Sequence, residues 1–256
     1  MTPSGRVVLR DPAGVEVLSY RAVDELSDGA NRPLAADVRL AGGDPDHAAD
    51  VVLAQLQGWA VAAPGDLAAA LAARGAVVRR RMRIMTRSLR ADPPPPEWAR
   101  SPLGPGVRAV PPDRSAADVF PAWRAAYATG SHPDAYPGDD AGALAERLVP
   151  LLTGAWGDVL PWSLLAVDAR DDVVAGVYVL AVQPPVDMPW IGDVFRRPGP
   201  EHAGIGAALL QRVLALAVAR DVEAVGLSVT DGIPAGAVYE RLGFTTRSAH
   251  TTVLVP

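Results

Sequence analysis

The residues in this chain best suited to chemistry are a glycine turn, Gly204-Ile-Gly206, a tyrosine placed just before a Gly-Phe pair, Tyr239 with Gly243-Phe244, and an acid inside an apolar tract, Asp193. The glycine turn follows Trp190–Phe195, which reads as a strand, and opens an apolar run with helical spacing over Gly204–Ala219. At such a junction the first N–H groups of the helix have no partner within it, and the positive end of its dipole lies behind them. Glycines there let an anionic group approach the backbone, which makes Ala203, Gly204, Ile205, Gly206 and Ala207 a candidate phosphate cradle. The phenol of Tyr239 is a candidate proton donor. The carboxylate of Asp193 is a candidate for holding an ammonium group and taking its proton through water.

Other chemistries find little support. The chain has no cysteine, which excludes disulfide frameworks, thiolate metal sites and cysteine nucleophiles. His47, His132, His202 and His250 are scattered without metal-ligand spacing, and neither a Gly-x-Ser-x-Gly elbow nor a Walker pattern occurs, so no metal is expected. The 256 residues carry a formal charge of -5, and all 24 basic residues are arginine. Residues 1–95 hold twelve arginines against eleven acids, and residues 96–256 twelve against eighteen. The acidic second part speaks against nucleic acid and favours a cationic small molecule. The run Arg79–Arg83 alternates sides along a strand and reads as a solvated face. Met1–Arg6 lacks a signal-peptide core and no apolar run approaches membrane-spanning length, so a cytoplasmic protein without a membrane partner is expected.

The elements that must position these residues fall on either side of Asp92-Pro-Pro-Pro-Pro-Glu97 and Ser101-Pro-Leu-Gly-Pro-Gly106. Prolines at that density stop helices and central strands, which sets domains at 1–95 and 107–256 with a proline-rich linker at 96–106. The first domain reads as a hairpin, Val7–Arg10 with Val15–Leu18, a strand Leu34–Leu40, a helix His47–Gln57, a strand Trp59–Ala63, a helix Asp66–Ala73 ended by Gly75, and a long strand or hairpin arm Val77–Leu89. The second opens with a strand, Val107–Val110, and a helix, Ser115–Tyr127, capped by Ser115. A turn-rich loop, 129–140, carries His132, Tyr136, Asp139 and Asp140 and is a candidate border of a substrate site. A helix Ala141–Leu152 and a hairpin, Ser163–Asp168 with Val173–Val182, precede the glycine-turn unit. A strand Ala224–Val229, a short helix Ala235–Leu242 and a last strand or pair, Phe244–Val255, complete the chain. Strand, helix, strand, short helix, strand thus occurs twice, which suggests an internal duplication.

The second domain resembles the GNAT superfamily of acyl-CoA-dependent N-acyltransferases. Pro198 with Gly204-Ile-Gly206, the strand Val225-Gly-Leu-Ser-Val229, and Ala235-Gly-Ala-Val-Tyr-Glu-Arg-Leu-Gly-Phe244 match three of its segments in order. The resemblance implies a mixed α/β (α+β) fold, with a GNAT domain after a smaller, partial, degenerate GNAT-like copy. It implies acetyl-CoA as co-substrate, pantetheine along Val194, Phe195 and Arg196, the pyrophosphate on Ala203–Ala207, and Tyr239 as the acid for the departing thiolate. Two positions depart from the pattern. Glu201 stands where the family carries Arg or Gln, and Gly232 where many members have Asn, a role that Asp231 could take. Ile191–Arg196 resembles the acidic strand of the polyamine-acetylating branch, but with Gly192 in place of a second acid. In the first domain the corresponding loop, Ala41–His47, carries acids and a proline, so that copy is expected to be cofactor-free. The implied function is direct, ternary-complex acetyl transfer to a primary amine of a small molecule by a monomer or homodimer. A non-catalytic acyl-CoA-binding regulator and a protein or peptide N-acetyltransferase stand as alternatives.

Overall fold

The computed structural model describes residues 5–23, 32–128, 134–136, 138–181 and 188–256. In chain order the elements begin with β1 (Val7–Arg10), β2 (Glu16–Val23), β3 (Leu34–Leu40), α1 (Pro45–Gln55), β4 (Ala60–Ala63), α2 (Gly65–Ala73) and β5 (Val77–Ser88). A 3-10 turn (Pro96–Arg100), β6 (Arg108–Val110), α3 (Ala116–Tyr127), α4 (Asp140–Ala143), a π-turn (Leu144–Leu148), α5 (Val149–Leu152) and β7 (Asp158–Val159) follow. The chain ends with β8 (Leu164–Val167), β9 (Val173–Ala181), β10 (Trp190–Arg196), a second 3-10 turn (Pro200–His202), α6 (Ile205–Val218), β11 (Ala224–Thr230), α7 (Ala235–Arg241) and β12 (Thr245–Leu254).

Two compact units contain these elements. One comprises residues 1–83 and 248–256, the other residues 84–247. In the first, β1, β2 and β3 pair antiparallel, β3 and β4 parallel, and Thr251–Leu254 of β12 lies antiparallel on β4. Helices α1 and α2 cover this sheet through Val52, Leu67 and Leu71, packed with Leu18, Val61 and Val253. The division, between residues 83 and 84, falls before the proline run that begins at Pro93. The prolines are not a loose linker, because the 3-10 turn packs on α6, Trp98 sits against the core, and Arg212 Nε donates to the Ser101 carbonyl at 2.8 Å.

In the second unit the strand order β11-β10-β9-β8-β6 has antiparallel neighbours except for the parallel pair β10/β11, and β7 pairs β9. One face packs on α6 through Leu209, Leu210, Val213 and Leu214, and the other on α3 and the 140–152 segment. The helix expected at Ala141–Leu152 is broken by a π-turn, where Val149 N–H reaches back to the Leu144 carbonyl just before Pro150, which has no N–H to give. Pro200–Val218 is, by length and composition, long and apolar enough to cross a membrane. Ile205, Leu209, Leu210, Val213 and Leu214 within it are nevertheless buried in the unit's core. The last segment is one strand, and Arg79 and Arg81 of β5 are exposed as a solvated face requires.

Candidate active site

The site begins with an extra residue in β10. Its register against β9 steps from Ile191↔Val179 to Asp193↔Tyr178, so Gly192 bulges out of the ladder. A Cβ there would lie 2.7 Å from Leu180 Cδ1, so a larger residue would have to displace that side chain. The bulge reverses the strand's alternation. Ile191 and Val194 pack on the α6 side, while Phe195 joins Tyr178 and Trp123 on the α3 side. Asp193 turns to that same side, where Trp123 Nε1 donates to Oδ2 and Tyr127 OH to Oδ1, both at 2.7 Å.

Beyond the bulge β10 also parts from β11. The two strands register at Trp190↔Gly226 and Ile191↔Leu227, and no later pair is formed among the described residues. The edge of β10 from Asp193 onward therefore offers backbone N–H and C=O groups to a ligand instead of to β11. The gap opens beside the N-terminus of α6. Gly204 caps that helix with φ +82, without a side-chain cap, and no heavy atom of the described residues lies within 4 Å of where its Cβ would stand. The Val194 Cγ1 carbon sits 4.0 Å from the Cβ position of Gly206 and lines the approach. Of the five residues expected in the cradle, Ala203 contributes no free donor, because its N–H goes to the Pro200 carbonyl at 3.1 Å. The N–H groups of Ile205, Gly206 and Ala207 come too early in the helix to find an acceptor within it. An uncapped, sterically open N-terminus of this kind fits a pyrophosphate.

The neighbouring residues take definite places. Arg196 is exposed and donates to the Arg197 carbonyl at 2.9 Å, bracing the turn into α6. The Phe195 side chain is buried on the α3 face, so this residue meets the gap only through its backbone. Glu201 is 64% exposed and pairs with His202 Nδ1 at 3.3 Å. Its carboxylate turns over Gly199, whose φ is +118, and leaves the space at Gly204 open. Asp231 is exposed in the turn between β11 and α7.

Tyr239 is buried on α7, and its ring meets Phe244 edge-on at 6.0 Å between centroids. Burial, followed by the charges of Asp193 and Asp134, pushes the Tyr239 phenol well above its ordinary range. Burial and then the Asp193 charge likewise raise Tyr178 and Tyr127. Asp193 itself is raised by burial, against the lowering hydrogen bonds from Tyr127 and Trp123. The Tyr178 hydroxyl is buried with no partner among the described residues.

Trp123, Tyr127, Asp134, Tyr178 and Thr230 are site residues that sequence reasoning missed. Trp123 and Tyr127, one helical turn apart behind the Ser115–Asp118 capping box, were legible as a pair of polar aromatics on one face of α3. Asp134 accepts from Thr230 Oγ1 at 2.8 Å and ties its loop to the end of β11. In the same loop Tyr136 is buried in the core, Asp139 caps α4, and Asp140 pairs with Arg124 at 2.7 Å. His132 lies outside the described residues. Among the described residues no group of three or more His, Asp or Glu side chains could hold a metal ion.

Residues 133–244, which contain the bulge, the glycine turn and Tyr239, match the family model described as Acetyltransferase (GNAT) family. This segment thus carries a GNAT acetyltransferase domain. Solved structures agree over nearly the whole chain. A GCN5-related N-acetyltransferase from Sphaerobacter thermophilus is similar at TM-score 0.61 and 18% identity, over 99% of this chain and 82% of that one. A tandem GNAT protein from the clavulanic acid biosynthesis pathway is similar at TM-score 0.57 and 18% identity, over 96% and 80%. A GCN5-related N-acetyltransferase from Kribbella flavida is similar at TM-score 0.54 and 19% identity, over 99% and 90%. At these identities the likeness is one of fold. No curated protein matches the sequence.

The tandem likeness agrees with the repeat inside the chain. In the first unit β3 and β4 are parallel and register at Leu34↔Ala60 and Ala35↔Val61, two pairs only among the described residues, as β10 and β11 do. Leu71 there answers to Tyr239, since Ala76 N–H closes on the Leu71 carbonyl as Phe244 N–H closes on that of Tyr239. The first helix is capped from within. Asp44 accepts from the N–H groups of Asp46 and His47 at 2.9 and 3.2 Å, and Pro45 has none to give.

Proposed function

We propose that this GNAT protein transfers an acetyl group from acetyl-CoA to the primary amine of a small molecule, by direct attack in a ternary complex. The observation that carries the reading is the parting of β10 from β11 beside an uncapped helix N-terminus, with a buried tyrosine on the helix that follows β11. Ile205, Gly206 and Ala207 would hold the pyrophosphate through their N–H groups, with Gly204 keeping the approach open. The free edge of β10 at Val194 and Arg196 would take the amides of the pantetheine arm. When bound, acetyl-CoA supplies the activated acetyl thioester.

The remaining roles belong to the chain's own side chains. Tyr239 keeps its proton at neutral pH, because burial and the Asp193 and Asp134 charges disfavour the phenolate. That proton is available to the thiolate that leaves. Asp193 has a donor on each oxygen, so we assign it a fixed negative charge that attracts the acceptor as an ammonium. This replaces the free base expected from the sequence. The ammonium loses one proton to solvent before attack, and the proton released from nitrogen as the amide forms restores the one Tyr239 gives to the thiolate. The first unit is proposed to bind no cofactor, because Asp44 already occupies the N–H groups a phosphate would need and Leu71 brings no hydroxyl.

The test is a panel of amines incubated with acetyl-CoA and the full chain, with thiol release and product mass as readouts. Turnover with small primary amines supports the reading. Acetyl-CoA binding without turnover on any amine would identify a regulator, and turnover confined to peptides a protein-directed enzyme.

A further inference from the structure

We infer that Arg87 is a positioning residue for Tyr239, clamping the end of α7 between its guanidinium and the turn at Gly243; the inference rests on the acetyl-transfer reading above. The Arg87 side chain, near the end of β5, is only 4% exposed, and its one carboxylate partner among the described residues, Asp92, is itself 73% exposed. Nη2 donates to the Asp92 carbonyl at 3.2 Å and lies 3.5 Å from its Oδ2, while Nε is buried with no acceptor among the described residues. Burial lowers the Arg87 pKa, with the charge of Asp92 opposing it, so this site resists the charge it holds.

A buried, partly satisfied arginine stabilises a fold poorly, and an apolar chain of similar volume is often as good or better. What an apolar chain could not supply is the planar cation. The Arg87 guanidinium lies 5.0 Å from the ring centroid of Trp98 on the 3-10 strap and, with Asp92 Oδ2, stands at the Cβ position of Gly243. A Cβ at position 243 would come within 3.0 Å of Nη1 and 3.1 Å of Cζ.

Gly243, with φ +83, is the left-handed residue that ends α7. There Phe244 N–H closes on the Tyr239 carbonyl and Gly243 N–H on that of Glu240, both at 3.0 Å. The guanidinium thus fills the space a side chain at 243 would need, beside the turn whose hydrogen bond returns to Tyr239 itself. Helix α7 has seven residues, too few to hold its form without outside contacts, and a cation at its C-terminal end is favourable. Fixing this turn fixes the backbone from which the Tyr239 ring projects.

The experiment is a double-mutant cycle in the full chain, with Arg87→Met and Tyr239→Phe read by steady-state acetyl transfer and by hydrogen exchange at α7. Arg87→Met should lower kcat about tenfold, leave the KM for acetyl-CoA within about twofold, and have no further effect once Tyr239 is phenylalanine. It should also raise exchange at the Gly243 and Phe244 amides about tenfold while α6 stays protected. Unchanged exchange, or an equal loss of kcat in both backgrounds, overturns the clamp while leaving the acetyl-transfer reading intact. Full turnover by Tyr239→Phe alone removes Tyr239 from the reaction and the clamp's role with it. If Arg87→Met does not fold, Arg87→Lys, which keeps the charge but loses the planar contact, goes through the same cycle with the same criteria.

Discussion

Tyr239 is surrounded by features that hold its proton in place, namely burial and two acidic side chains. If that proton goes to the leaving thiolate, Tyr239→Phe should cost about 100-fold in kcat. Acetyl-CoA affinity by calorimetry should stay within about twofold, because the cradle is built elsewhere. A loss of affinity with normal kcat would mean a binding role instead. Asp193 allows a separate test through pH. Its folded pKa is raised above the ordinary carboxylate value of about 3.9. The folded state therefore binds this proton more tightly than the unfolded chain, so the group stabilises fully below its unfolded pKa and that contribution is lost as pH rises through the folded pKa. Asp193→Asn removes the titration. In urea unfolding, the stability of the natural protein relative to the variant should grow as pH falls from about 7 to about 4. A difference that shrinks would mean that the hydrogen bonds from Trp123 and Tyr127 outweigh burial.

The elements around these residues were legible to different degrees, for physical reasons. Helix α6 and its glycine turn stood out because apolar periodicity and a missing Cβ are local properties of sequence. The bulge at Gly192 did not, because it is defined by β9 and by the approach of Leu180, which lie elsewhere in the chain. It decides the site all the same, since unbroken alternation would have put Asp193 on the face of Ile191, away from Trp123 and Tyr127. The glycine turn itself can be tested. Gly204→Ala must hold φ +82 with a side chain, a strain of about 1 kcal/mol that should lower the melting temperature by roughly 2–4 °C. Its methyl meets no atom of the described residues within 4 Å, so it projects into the space proposed for the pyrophosphate. Acetyl-CoA affinity should fall about tenfold, as steric exclusion from a close backbone approach predicts. Unchanged affinity in calorimetry would move the anion site away from this turn.

For the molecule as a whole, the proline run was the strongest break in composition, yet the compact units divide near Arg83. Composition marks where helices and strands stop, whereas a unit is defined by which side chains share a core, and a return of the chain from far along the sequence leaves no local sign. The return here is residues 248–256. Thr251–Leu254 registers with Ala60–Ala63, and two hydrogen bonds, from Val255 N–H to the Trp59 carbonyl and from Gly58 N–H to the Val255 carbonyl, close the end. Val253 and Val255 are buried in the first unit's core. Ending the chain at Arg247 would remove both valines, about 1.5–3 kcal/mol each of lost burial, and would bare β4 as a new edge. That sum, about 3–6 kcal/mol, reaches the lower end of the whole stability of a small domain, about 5–15 kcal/mol. The truncated chain should therefore lose hydrogen-exchange protection in β3, β4 and α1, more than 170 residues before the cut in sequence, while β8, β9 and α6 keep theirs. Loss confined to β12 would show that the first unit holds together without its last strand.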